Sequence, residues 1–124
     1  MPGSLETAIG NCTIRERSSG RFHTTHDLVA AHLAGDAGAT KIWLASVKAL
    51  ACAIGSFINI LDPKAVIVGG GISRARAALF KPLETFVREV EWQPGGHRAK
   101  ILPAKLGEFA GALGSAFNAL SRVK

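Results

Sequence analysis

Apolar residues recur at intervals of three and four along the middle of the chain, which is the spacing of one face of a helix. The stripe comprises Ile42, Trp43, Val47, Leu50, Ile54, Phe57, Ile58 and Leu61. Asp36 can cap the start of this helix, and Thr24 with Asp27 forms a capping box for a shorter helix before it. Pro63 ends the long helix, because proline lacks an N–H and disfavours helical geometry in the residue before it. The pattern predicts a long core helix that turns at Asp62.

Four apolar residues, Ala65 to Val68, follow without alternation, which predicts a short strand buried on both faces, as in a parallel sheet. Residues 99–104 are predicted to form a second short strand, and the helix between the two strands requires them to be parallel. Ser73 is placed to cap that helix, and Pro82 is expected to break or restart it. The last helix carries an apolar face of Leu113, Phe117 and Leu120.

Two strands are too few to cover so many apolar helix faces. We therefore predict an α/β fold over residues 1–124, a helix-rich partial domain with a short parallel sheet. A second copy of the chain or another lobe is expected to cover the remaining apolar surface.

The first strand runs directly into three glycines, Gly69, Gly70 and Gly71. Glycines let a ligand approach the backbone closely, and the N-terminus of a following helix favours an anion. The third glycine of a dinucleotide fingerprint is missing, and no Gly-Lys-Ser/Thr follows as in a P-loop. These residues alone fit an anion-binding turn and a tight turn without a ligand equally well.

Composition narrows the function classes. The net charge of +6 comes from scattered basic residues without interleaved aromatics, a pattern that does not indicate nucleic-acid binding. Neither a signal peptide nor a membrane span is expected, so we predict a cytoplasmic protein with Cys12 and Cys52 reduced. His23 and His26 have no neighbouring cysteine or carboxylate cluster, so a metal site is not predicted there.

Residues 59–73 read Asn-Ile-Leu-Asp-Pro-Lys-Ala-Val-Ile-Val-Gly-Gly-Gly-Ile-Ser, and residues 106–116 read Leu-Gly-Glu-Phe-Ala-Gly-Ala-Leu-Gly-Ser-Ala. Both segments, in this order, resemble the C-terminal lobe of ROK proteins (repressor, open reading frame, kinase). This family includes glucokinases and fructokinases with the actin-like ATPase and sugar-kinase fold. The resemblance covers nearly the whole chain.

The resemblance implies an ATP-dependent hexose kinase that uses Mg-ATP. It assigns nucleotide binding to the glycine turn, residues 69–71, and to Ser73, and it assigns the binding of sugar hydroxyls to Glu6. Ser4 stands where the family has a zinc-binding cysteine, so a structural zinc is not expected in this chain. Gly10-Asn11 stands where the family has Ser-Gly.

The family's N-terminal phosphate loop and its aspartate base are not found in these residues. The chain therefore resembles the nucleotide-binding part of a kinase, and catalysis by the isolated chain is not expected. Two alternatives stay open: the sugar-sensing lobe of a ROK transcriptional repressor, which would bind nucleic acid through another segment, and a non-catalytic interaction domain. Translating the DNA upstream of Met1 would distinguish the kinase from the repressor: a phosphate loop there indicates a kinase, and a helix-turn-helix indicates a repressor.

Overall fold

The computed structural model describes residues 3–93 and 96–122 of the chain. Six α-helices and two strands are formed there: α1 Leu5–Ile9, α2 Ile14–Arg17, α3 Thr25–Leu33, α4 Ala37–Leu61, β1 Ala65–Val68, α5 Ala77–Val90, β2 Lys100–Pro103 and α6 Ala110–Ser121. Short 3₁₀ turns occupy Asn11–Thr13, Gly71–Ala75 and Gly107–Phe109. The predicted fold class, a helix-rich α/β arrangement with a short parallel sheet, is confirmed.

Side-chain caps begin α3 and α4 at the predicted residues, and α4 also ends where predicted. The Thr24 hydroxyl accepts the Asp27 N–H, and the Asp27 carboxylate accepts the Thr24 N–H, both at 3.1 Å. The Asp36 carboxylate accepts the Ala39 N–H at 2.7 Å. That hydrogen bond, with the Arg21 guanidinium 2.8 Å away, lowers the pKa of Asp36. At the other end of α4, Asp62 takes a left-handed conformation (φ 46°).

The central helix α4 is long and apolar enough to cross a membrane by length and composition alone. No membrane span was expected from the sequence, and the prediction of a core helix is confirmed for its buried face; it is wrong for Phe57 and Leu61, which are 60% and 69% exposed. Trp43, Val47 and Ala51 are fully buried. The helix packs against α5, α3 and α1, and its contacts with α3 and α5 form much of the buried core.

Strands β1 and β2 pair in parallel, with Val66 opposite Ile101 and Ile67 opposite Leu102. This pairing confirms the predicted sheet. The prediction that β1 is buried on both faces is wrong: Val68 and Ile101 are buried, whereas Ile67 is 68% exposed and Leu102 is 43% exposed. The described helices cover one face of the sheet, and the other face stays open to solvent.

The segment between the strands begins differently from the prediction. Ser73 does not cap a helix; it lies in the 3₁₀ turn Gly71–Ala75, where its hydroxyl donates to the Gly70 carbonyl at 2.7 Å. The α-helix α5 starts after Arg76. The prediction that Pro82 breaks or restarts the helix is also wrong, because Pro82 lies within α5.

The reason that α5 tolerates Pro82 lies in another helix. Proline cannot donate to the carbonyl four residues earlier, which here belongs to Ala78. The indole N–H of Trp43 in α4 donates to that carbonyl at 2.9 Å. A tertiary hydrogen bond thus replaces the missing helical one.

Candidate functional site

The carboxylate of Glu6 lies on α1, at one edge of the molecule. The Ser4 hydroxyl caps this short helix by accepting the Thr7 N–H at 3.2 Å, and the Gly10 N–H closes it on the Glu6 carbonyl at 2.7 Å. Position 4 thus has a capping role in this chain, where the resemblance would place a zinc ligand. The Glu6 side chain is exposed, and its carboxylate accepts the Cys12 thiol at 3.8 Å.

Gly10 leaves space for Glu6. A Cβ built at Gly10 would overlap both the Glu6 carboxylate and the Glu6 carbonyl oxygen. The serine that the resemblance has at this position would therefore displace Glu6 from its present orientation. Gly10 and Asn11 depart from the Ser-Gly of the family, and Gly10 lies directly against Glu6, the predicted sugar-binding residue.

Two hydrogen-bonding groups attach this segment to the rest of the fold. The Asn11 side-chain oxygen accepts the backbone N–H of Thr25 in α3 at 2.7 Å. Arg17 donates from Nη2 to the Gly10 carbonyl at 2.8 Å and from Nη1 to the hydroxyl of Ser46 in α4 at 2.6 Å. Burial lowers the pKa of Arg17. The segment that carries Glu6 is therefore fixed against both α3 and α4.

The three glycines after β1 have different surroundings. A Cβ at Gly69 would lie 3.1 Å from the Ala104 Cβ, so this glycine permits close packing of the two strand ends. Gly70 has φ +80° and ψ −175°, a conformation that is essentially restricted to glycine. Around Gly71 no described atom lies within 4 Å of a built Cβ, so its backbone is open to a ligand.

A cleft of about 710 Å³ brings Glu6 together with Gly69 and Gly71. We call it the Glu6 cleft. Its further polar lining consists of Asn11, Thr25, His26 and Arg74, and its apolar lining includes Ile9, Val29, Leu33, Trp43, Leu50 and Ile72. Two predicted binding elements that are more than sixty residues apart in sequence therefore face one space.

A second depression, of about 680 Å³, is lined by the carboxyl end of β2 and by the segment before α5. We call it the basic groove, because its lining includes Arg74, Arg76 and Lys105. Ser73 lines this groove and not the Glu6 cleft. Arg74 lines both spaces, so the cleft with a carboxylate and the groove with positive charge adjoin at this residue.

Sequence reasoning did not find Asn11, Thr25 and His26 as residues of the cleft. The capping box placed Thr25 and His26 at the start of α3, but nothing local indicated that this helix end would face Glu6. His26 was considered as a metal ligand; among the described residues no group of three or more potential ligands is present. In the structure His26 is an exposed residue of the cleft wall.

The sequence model of the ROK family matches residues 1–122. A glucokinase of Thermotoga maritima is 40% identical over 82 residues, which cover 66% of this chain and 26% of that protein. The chain therefore spans about a quarter of the length of this relative.

Two solved structures share the fold. The first is a ROK family glucokinase from Streptomyces griseus in complex with glucose and AMPPNP, with a TM-score of 0.75 and 22% identity over 94% of this chain and 44% of that one. The second is a ROK family transcriptional regulator described as a homologue of the E. coli MLC protein. It has a TM-score of 0.67 and 24% identity over 82% of this chain and 29% of that one. The chain thus has the fold of this part of ROK proteins.

Proposed function

Because the chain belongs to the ROK family, we propose that it is the nucleotide- and sugar-binding C-terminal part of an ATP-dependent hexose kinase. The observation that supports this function is the shared lining of the Glu6 cleft by Glu6, Gly69 and Gly71. Phosphoryl transfer requires a sugar hydroxyl and the terminal phosphate of a nucleotide to meet in line. A cleft with a carboxylate on one wall and an open glycine backbone on another suits that meeting.

In this proposal Glu6 binds the sugar, and the glycine turn with the basic groove binds the nucleotide. The Glu6 carboxylate accepts hydrogen bonds from sugar hydroxyls and fixes the orientation of the ring. The glycine turn lets the nucleotide approach the backbone, and Arg74, Arg76 and Lys105 in the basic groove, which Ser73 also lines, offset the negative charge of the phosphates. Catalysis in such kinases rests on positioning and electrostatic stabilisation. Binding is the property to measure on this chain.

Magnesium is proposed to arrive with the nucleotide. Mg²⁺ usually keeps several waters and is held by substrate phosphates with one or two carboxylates. The described residues contain no cluster of three or more potential ligands. This chain's own residues would then act on the phosphates and the sugar.

Titration with glucose tests the sugar site. The chain has two tryptophans; Trp43 lines the Glu6 cleft, and Trp92 is 72% exposed. In a Trp92→Phe background, the fluorescence of Trp43 is expected to change saturably with glucose and not with equal concentrations of mannitol. Glu6→Gln should weaken glucose binding by about tenfold or more, since hydrogen bonds to a charged group contribute about 1.5–3 kcal/mol.

Glu16→Gln is the matched control for that titration, because Glu16 is an exposed carboxylate on α2 outside the lining of the cleft. It should bind glucose like the parent protein. Equal glucose affinity in the Glu6→Gln and Glu16→Gln variants, or no saturable response in the parent, would contradict the proposed sugar site.

A second candidate function is the sugar-sensing lobe of a transcriptional regulator, and the likeness to a ROK regulator favours it. A sensor needs the sugar site and has no need of a nucleotide. Titration with Mg-AMPPNP separates the two functions: a kinase part binds both ligands, whereas a sensor binds glucose alone.

The exposed apolar surface predicts association. On α6, Leu113 is 50% exposed, Phe117 is 75% exposed and Leu120 is 72% exposed, and Ile67 with Leu102 adds the open face of the sheet. Patches of this kind usually mark interfaces. Light scattering is expected to show a dimer or larger species, and Phe117→Glu should shift it towards the monomer, with exposed Lys81→Glu as the control. A parent protein that stays monomeric at high concentration would contradict self-association.

A further inference from the structure

Arg17 connects the segment that carries Glu6 to the core of the molecule. Its guanidinium donates from Nη2 to the Gly10 carbonyl, from Nη1 to the Ser46 hydroxyl and from Nε to the Thr13 hydroxyl, at 2.8, 2.6 and 3.0 Å. Ser46 lies in α4 and is 3% exposed, so one of the three partners belongs to the rigid centre of the fold. The other two belong to the turn that follows Glu6.

The segment packs against α4 but buries no side chain of its own. Helix α1 contains five residues and the following 3₁₀ turn contains three, and helices this short are marginal without tertiary contacts. Neither element contains a buried residue. Polar contacts from Arg17, together with the bond between Asn11 and Thr25, therefore help to fix its position.

The chemistry of these three contacts requires arginine. A guanidinium is planar and presents five donors in a fixed fork, so it can hold a carbonyl and two hydroxyls at once. A lysine ammonium is a single charged centre on a flexible chain, and it cannot reproduce that spread of donors. The role of Arg17 thus depends on geometry more than on charge.

We infer that Arg17 is a positioning residue for sugar binding: it anchors the Gly10 carbonyl to Ser46 and so holds the Glu6 carboxylate at the wall of the cleft. The inference rests on the proposed function, because it concerns the same site. Arg17 does not line the Glu6 cleft. Its effect on a sugar must therefore pass through the α1 segment.

Three variants of the full chain test this role by the fluorescence titration with glucose. Arg17→Met should raise the dissociation constant about tenfold, and Ser46→Ala should raise it in the same direction by a smaller factor. Arg17→Lys should recover little of the loss. Arg15→Met is the matched control, since Arg15 is an exposed arginine on the same helix; it should bind glucose like the parent. Full recovery by Arg17→Lys, or an equal loss in Arg15→Met, would overturn the inference.

A double variant separates positioning from general stability. If Arg17 acts through Glu6, Arg17→Met should add nothing to the loss already caused by Glu6→Gln, because the two effects share one interaction. AMPPNP binding at the glycine turn should stay unchanged in Arg17→Met. Additive losses, or a parallel loss of AMPPNP binding, would show a merely structural role and overturn the inference.

Hydrogen–deuterium exchange gives a readout that needs no ligand. Arg17→Met should speed exchange in peptides covering residues 5–13 and leave α5 unchanged, whereas Arg15→Met should alter neither. If the parent protein binds no glucose but this exchange pattern is found, the proposed sugar site fails while the anchoring by Arg17 stands. If residues 5–13 exchange as in the parent, the anchoring role is wrong whatever the ligand data show.

Discussion

Gly71→Val is expected to weaken AMPPNP binding by at least about tenfold, the equivalent of about 1.4 kcal/mol, and to leave the chain folded. Gly71 lines the Glu6 cleft, and no described atom lies within 4 Å of a Cβ built there. Its φ is not positive, so a valine is not strained. The added side chain would occupy space that a nucleotide needs. Calorimetric titration with Mg-AMPPNP and thermal unfolding measure the two effects.

Gly70 is unsuitable for this test, although it is the middle residue of the turn. At φ +80° any other residue is strained, so a variant there loses stability and mimics a binding defect. Gly114→Val is the matched control, because Gly114 is an exposed helical glycine with the same open surroundings outside both clefts. If Gly71→Val folds and binds AMPPNP like the parent, the glycines serve only the turn and the proposed nucleotide site is wrong.

Elements fixed by neighbouring residues could be predicted from the sequence. The start of α3 follows from the side chains of Thr24 and Asp27, and the end of α4 follows from Pro63. Strand β1 has the predicted bounds, Ala65–Val68, since four apolar residues between a proline and glycines leave few alternatives. In each case the residues that determine the feature are close neighbours in the sequence.

Features that depend on distant contacts could not be predicted in the same way. Isoleucine is typical of buried strands, and Ile67 was therefore expected to be buried. Its exposure depends instead on whether another element covers that face of the sheet. Pro82 has the local signature of a helix boundary, but Trp43 of α4 satisfies the carbonyl that proline leaves without a partner. Propensity alone cannot reveal a hydrogen bond across 35 residues of sequence.

In the candidate site, too, single elements could be predicted from the sequence, whereas their meeting in one cleft could not. The family resemblance assigns binding both to Glu6 and to the glycines at 69 to 71, whereas the local pattern around the glycines fits a ligand-free turn equally well. Their common cleft follows from the packing of α1 and α3 around α4, which no short motif encodes. His26 and Asn11 enter the site for that reason alone. Their roles in binding are open to the same titrations as Glu6.

Trp43→Phe is expected to destabilise the chain by about 1–3 kcal/mol, because it leaves the Ala78 carbonyl without its donor. Trp43 is fully buried, and the smaller ring adds a cavity to this loss. The urea midpoint measured by circular dichroism should fall with an unchanged m-value. His23→Phe, on an exposed loop residue, is the control for the introduced aromatic ring.

The Pro82→Ala background separates the two contributions to the loss of stability in Trp43→Phe, the lost hydrogen bond and the cavity. An alanine at 82 has an N–H that can donate to the Ala78 carbonyl in the ordinary helical pattern. In the Pro82→Ala background, Trp43→Phe should therefore cost about 1 kcal/mol less than in the parent, while the cavity term stays the same. Equal costs in the two backgrounds would show that packing alone accounts for Trp43. A larger cost in the alanine background would show that the N–H introduced at position 82 does not take the place of the indole at this carbonyl.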